Sequence, residues 1–80
     1  MRLQKVQDYM KELGFEFTYA EEAGLGSIDF LYRGISYHIW EFFDGEYGVE
    51  TNIRTGGSHE DVFGDYEEKL MEMLRERQKR

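Results

Sequence analysis

Residues 28–43 read Ile28-Asp29-Phe30-Leu31-Tyr32-Arg33-Gly34-Ile35-Ser36-Tyr37-His38-Ile39-Trp40-Glu41-Phe42-Phe43, two strand-length runs joined by Arg33-Gly34. β-branched and aromatic side chains dominate both runs, and a short glycine-containing joint suits a two-residue hairpin loop. That loop sets Tyr32 opposite Ile35, Phe30 opposite Tyr37 and Ile28 opposite Ile39, so the six share one face. The second run is apolar on its other face as well, whereas a sheet resting on helices ordinarily alternates apolar with polar. The surplus on the reverse face calls for a partner.

Working outward towards the C-terminus, a three-residue loop, Phe43-Asp44-Gly45 with Gly45 left-handed, pairs Phe42 with Glu46 and Ile39 with Val49. One face then holds Ile28, Phe30, Tyr32, Ile35, Tyr37, Ile39, Tyr47, Val49 and Ile53. Thr55-Gly56-Gly57-Ser58 breaks the chain, and Val62, Phe63, Tyr66, Leu70, Met73 and Leu74 form one stripe, predicting a short first turn and a main helix from about Asp65. Towards the N-terminus, Phe15, Phe17 and Tyr19 alternate with polar or small residues as a short strand before a loop from Glu21 to Gly26. Leu3, Val6, Met10 and Leu13 recur at helical spacing from Arg2, with Gly14 placed to cap that helix. The expected fold is α+β: a two-layer α-β-β-β-β-α order in which an antiparallel four-stranded meander carries helices from both termini on one face.

Eighty residues without cysteine or proline predict one small domain, 1–80, with a polar tail at about 76–80 that frays. No disulfide framework or thiolate metal site is available, which suits a reducing compartment, and the cytoplasm is the expected location. The first fifteen residues carry Arg2, Lys5, Asp8, Lys11 and Glu12, so no signal-peptide core is present, and no run is apolar enough to span a bilayer; no membrane association is expected. The formal charge of −7 is uneven: thirteen acidic residues lie between Gly14 and Glu68 against only Arg33 and Arg54. Such a field repels phosphate backbones and argues against direct nucleic-acid binding, but it speeds encounter with a basic protein.

On the reverse face this register presents Asp29 and Leu31, then Ser36, His38, Trp40 and Phe42, then Glu46, Gly48, Glu50 and Asn52. Trp40 lies opposite Gly48, where an indole can lie flat on the neighbouring strand. Leu31, Trp40 and Phe42 form an apolar island rimmed by carboxylates, the anatomy of a protein interface. His38 falls between Asp29 and Glu50, a surface charge cluster whose chain spacing matches no metal-ligand pattern. Asp29, Leu31, His38, Trp40, Phe42 and Glu50 are therefore the candidate interaction residues. Ser36, His38 and Asp29 share a face as a nucleophile, base and orienter would, but a flat sheet offers neither cleft nor oxyanion hole. Arg54 to His59 reads as a connector, because Glu60 and Asp61 follow where an anion-binding loop needs positive charge. No catalytic, metal or cofactor-binding residue is assigned, and no cofactor is implied.

The helix-flanked sheet is similar in topology to double-stranded RNA-binding domains, but those need Lys and Arg where this chain has Glu60, Asp61, Asp65, Glu67 and Glu68. Gly26-Ser27-Ile28-Asp29-Phe30, Tyr32-Arg33-Gly34, Tyr37-His38-Ile39-Trp40-Glu41-Phe42 and Gly64-Asp65-Tyr66-Glu67 resemble stretches of a group of short, uncharacterised proteins of anaerobic Firmicutes. The resemblance covers most of the chain, carries no activity, and implies a small bacterial cytoplasmic protein encoded on mobile DNA. The leading functional expectation is a non-catalytic interaction module that uses the outward sheet face to self-associate, as a homodimer, or to dock on another protein. The alternative is a small acidic inhibitor that imitates nucleic acid and blocks a basic groove, as anti-CRISPR proteins do. An enzyme ranks third.

Overall fold

The computed structural model describes residues 1–79, in the order α1 (Gln4–Leu13), β1 (Thr18–Glu22), β2 (Leu25–Tyr32), β3 (Ile35–Phe43), β4 (Tyr47–Thr51), β5 (Glu60–Phe63) and α2 (Tyr66–Lys79). The strands form one antiparallel sheet in sequence order, so the α+β class and the helices at both ends stand. The sheet has five strands rather than four. Glu60–Phe63, expected as the first helical turn, pairs with β4 instead, with Val62 opposite Val49 and Phe63 opposite Gly48. The helix opens only after Gly64, whose φ of 72° ends the strand in a conformation that suits glycine.

The odd strand number fixes how the helices lie. β1 and β5 point the same way, and α1 and α2, packed against each other, run parallel. Two cross-ties agree: the Val6 N–H near the start of α1 donates to Glu67 Oε2 near the start of α2 (3.2 Å), and Gln78 Nε2 near the end of α2 donates to the Leu13 carbonyl (2.8 Å). The Glu67 bond matters because α1 has no side-chain cap of its own and enters through Leu3 at φ 56°. At the other end α1 closes as expected, one residue pattern at a time. Gly14 is left-handed and donates to the Lys11 carbonyl, while Phe15 donates to the Met10 carbonyl and buries its ring, which is the Schellman arrangement.

The β2–β3 register matches the sequence expectation at every pair, from Ile28 opposite Ile39 to Tyr32 opposite Ile35. The β1–β2 connection is tighter than the expected six-residue loop, because Ala23 and Gly24 both adopt left-handed conformations and make a two-residue turn. The β3–β4 loop has the expected three residues and a left-handed Gly45, but it comprises Asp44-Gly45-Glu46. Phe43 therefore pairs with Tyr47, their rings 4.9 Å apart, and Ile39 faces Thr51 rather than Val49. A slip of two residues leaves every side chain on its expected face, since side chains alternate with a period of two.

Both helices cover that one face. Val6 and Met10 of α1 and Leu70 and Leu74 of α2 are fully buried with Ile28, Ile39, Val49 and Ile53 in a single core. Ile35 and Tyr47, expected in the core, lie where the helices do not reach and are partly exposed. α2 continues to Lys79, and Arg77 in its last turn donates to the carbonyls of Ile53 and Arg54 and lies over the Tyr37 ring. Residue 80 of the expected frayed tail lies outside the described residues. Among the described residues no helix is long and apolar enough to cross a membrane.

Candidate functional site

The face opposite the helices is uncovered, and β3 sets most of what it displays. Ser36, His38, Trp40 and Phe42 alternate with core-facing residues and so point outward together. Trp40 is 44% exposed although it is the largest side chain of the molecule, Leu31 on β2 is 68% exposed and Phe63 on β5 is 38% exposed. The indole is held in place. Trp40 Nε1 donates to Asp29 Oδ1 at 3.1 Å, and its ring lies 4.3 Å from the His38 imidazole at an interplanar angle of 33°.

Glycine opens the next stretch of the face, but for a different ring from the one expected. Gly48 pairs with Phe42 and Phe63, not Trp40, and the Phe42 and Phe63 rings meet edge to face at 5.5 Å over it. A Cβ at this position would lie 2.9 Å from Phe42 and 2.9 Å from Phe63, so only glycine lets both rings lie down on the strand.

Of the six expected interaction residues, Asp29, His38, Trp40 and Glu50 form one contiguous cluster and Phe42 adjoins it. Asp29 is directly opposite His38 as expected, but its carboxylate serves Trp40. Glu50 faces Trp40 rather than His38 and reaches His38 diagonally, with 3.2 Å between Nε2 and Oε2. This is close enough for an ion pair but outside hydrogen-bond geometry. Leu31 stands on the same face with no ring contact. Among the described residues Ser36 and His38 form no nucleophile–base bond, and the shielded His38 Nε2 lies beside Glu50 instead.

Sequence reasoning missed the contributions of β5 and the β3–β4 turn. Asp61 sits directly opposite Glu50, so two carboxylates face each other across neighbouring strands, an arrangement that destabilises a sheet. Glu50 has the imidazoles of His38 and His59 near it, the latter at 3.8 Å, whereas Asp61 has no hydrogen bond or ion pair among the described residues. Asp44 joins them from the turn. With Trp40 and Phe42 these three carboxylates line a shallow groove of about 430 Å³. The missed signal was Glu60-Asp61-Val62-Phe63 followed by glycine, a strand and turn concealed by the helical spacing of Val62 with Tyr66.

A larger groove of about 700 Å³ runs between the free edge of β5 and α2. Its cations are engaged within the chain: Arg54 clamps Glu60 through two bonds of 2.7 and 2.9 Å, and Lys69 Nζ donates to the Phe63 carbonyl.

Glu41 also borders the groove beside Trp40, but it is only 7% exposed, with its side chain on the core side of β3. Arg2 reaches it with Nε at 2.9 Å and Nη2 at 3.0 Å, the Gly26 N–H donates at 2.9 Å and the Tyr66 hydroxyl at 2.5 Å. Burial alone would raise the Glu41 carboxyl, but the bonds from Arg2, Tyr66 and Gly26 outweigh it and hold the group below its ordinary range. Burial and the bond to Glu41 push the Tyr66 hydroxyl up to about 12. Gly26 makes the approach possible, since a Cβ there would lie 3.0 Å from the Arg2 Cβ and 3.1 Å from the Tyr19 ring. This network ties the N-terminal segment, β2 and the start of α2 to the middle of β3, directly beneath the outward residues.

Side-chain amides and hydroxyls do similar work where β4 ends early. Beyond Thr51 the β3 backbone has no strand on its β4 side, and Asn52 substitutes for one by accepting from the His38 N–H at 3.0 Å and donating to the Ser36 carbonyl at 3.0 Å. Thr51 Oγ1 donates to the His38 carbonyl. The His38 backbone is thus bonded through both its N–H and its carbonyl to side chains at and just after the end of β4.

Comparison of the chain with protein-family models, curated proteins and solved structures finds no match.

Proposed function

We propose that this chain is a non-catalytic protein-interaction module that docks through its uncovered sheet face. One observation carries the reading: Trp40, Phe42, Phe63 and Leu31 stand exposed or half-exposed on the side of the sheet away from both helices, rimmed by Asp29, Glu50 and Asp61. Exposed aromatic rings inside a polar rim are the usual anatomy of a binding hot spot. Trp40 is bonded to Asp29, and Phe42 and Phe63 pack edge to face over Gly48, and pre-ordered side chains lose little entropy on docking. A different protein suits the face better than a second copy, since a two-fold pairing would bring like carboxylates together.

The alternative of an acidic inhibitor shares the expectation of a basic partner but places affinity in charge alone. Salt separates the two: a charge mimic loses affinity steeply as ionic strength rises, whereas an aromatic anchor retains most of it. Solution mass by light scattering, for the native chain and for the Trp40→Glu, Phe42→Glu pair, tests the docking face. A folded double variant that has lost association, with itself or with a partner, supports the reading. A double variant that unfolds shows that the rings belong to the core and removes it.

A further inference from the structure

We infer that the groove beside Trp40 receives an arginine side chain from a basic segment of the partner, with the guanidinium between the aromatic rings and the Glu50, Asp61 and Asp44 carboxylates. The inference rests on the docking face proposed above and names the chemistry of its occupant.

Three observations converge on a cation. Glu50 and Asp61 are opposed across β4 and β5, and Asp61 has no partner among the described residues, so the face carries negative charge that the fold does not neutralise. An opposed acidic pair lowers stability; Glu50 has the His38 and His59 imidazoles within ion-pair distance, whereas the Asp61 carboxylate has no such partner among the described residues, and a sheet position of that kind is where a ligand is expected. The groove they line, about 430 Å³ and open, has Trp40 and Phe42 as its apolar walls. An apolar ligand would leave the carboxylates unpaired, and an anion would be repelled by them. A cation with a flat, weakly hydrated surface meets both requirements. The guanidinium is such a group: it stacks on an aromatic ring while its N–H fork reaches carboxylates, whereas an ammonium offers a compact, strongly hydrated charge. The occupant belongs to a protein segment because the groove is shallow and continuous with the exposed Phe63 ring.

The test uses three octapeptides of Gly and Ser that carry three arginines, three lysines or three citrullines, with both ends blocked. Trp40 is the only tryptophan, so its fluorescence reports occupancy of the groove directly. The arginine peptide is expected to bind about tenfold more tightly than the citrulline peptide, and severalfold more tightly than the lysine peptide. Asp61→Asn should weaken the arginine peptide severalfold while raising the melting temperature, because it removes the carboxylate opposition. Glu12→Gln, an equal change of charge on the exposed side of α1, should leave binding unchanged.

Equal losses in Asp61→Asn and Glu12→Gln would overturn the inference in favour of a diffuse acidic field, as would equal binding of the arginine and citrulline peptides. Failure of the docking face itself looks different. If no peptide binds but the native chain forms dimers that Trp40→Glu disperses, the arginine inference falls and the face stands. If the Trp40→Glu, Phe42→Glu pair unfolds, both fall.

Discussion

At Glu41 burial and charge act in opposite directions, and three donors decide the outcome. Arg2, Gly26 and Tyr66 keep the carboxyl ionised below its usual value near 4.5. Because the folded state holds this proton less tightly than the unfolded state, the contribution to stability is present above that value and is lost as pH falls through the lower, folded one. Glu41→Gln should therefore flatten the acid limb of a denaturation profile followed by circular dichroism. Tyr66 acts with the opposite sign: its hydroxyl is raised from 10 to about 12, so stability is intact below 10 and falls as pH rises between these values, and Tyr66→Phe should remove that alkaline decline. Arg2→Met strands a buried carboxylate and should cost about 2–4 kcal/mol in urea unfolding, with part recovered in Arg2→Met, Glu41→Gln, where an amide still accepts from Gly26 and Tyr66. Ala23 poses a simpler problem, since at φ 53° its Cβ is crowded in a left-handed turn. Ala23→Asn should stabilise the protein by about 0.5–1 kcal/mol, measured the same way.

Helix α1 and strand β5 show, at the scale of elements, what a sequence reveals and what it conceals. The β2–β3 hairpin was legible to the residue because Arg33-Gly34 admits one loop length and the flanking runs fit one register. Gly14 likewise announced the end of α1. By contrast β5 was concealed, because Val62, Tyr66 and Leu70 happen to recur every fourth residue and the stripe continues smoothly across Gly64. Local periodicity cannot register that Val62 already has a cross-strand partner in Val49. The same blindness covered Asp61, and with it half of the opposed carboxylate pair. Glu41 escaped for another reason: between Ile39 and Phe43 it reads as one more polar strand position, and its donors come from residues 2, 26 and 66. The start of α1 was equally unreadable, since its cap is supplied by Glu67 from the other helix. Glu67→Ala should cost about 1 kcal/mol, and hydrogen exchange should quicken in the first turn of α1 while the β2–β3 hairpin stays protected.

The whole molecule is asymmetric in its layers: a sheet with helices on one side and open on the other. If the aromatic face contributes to docking rather than to folding, the Trp40→Glu, Phe42→Glu pair should leave the far-ultraviolet spectrum unchanged and shift the urea midpoint only slightly. Gly48→Ala works against the same face from below, because the added methyl must displace Phe42 or Phe63; about 1 kcal/mol should be lost together with whatever association the native chain shows. The parallel course of the helices, which follows from the fifth strand, also settles how the molecule can be handled. Chain added before α1 leaves from one end, and chain added after α2 leaves from the other, about 21 Å away for a helix of fourteen residues. A circular permutant would need a linker of about seven extended residues to bridge that gap. A tether at either terminus attaches to the helical layer, so a chain anchored to a bead or sensor chip by its tail would hold Trp40 turned away from the support and open to the surrounding solution.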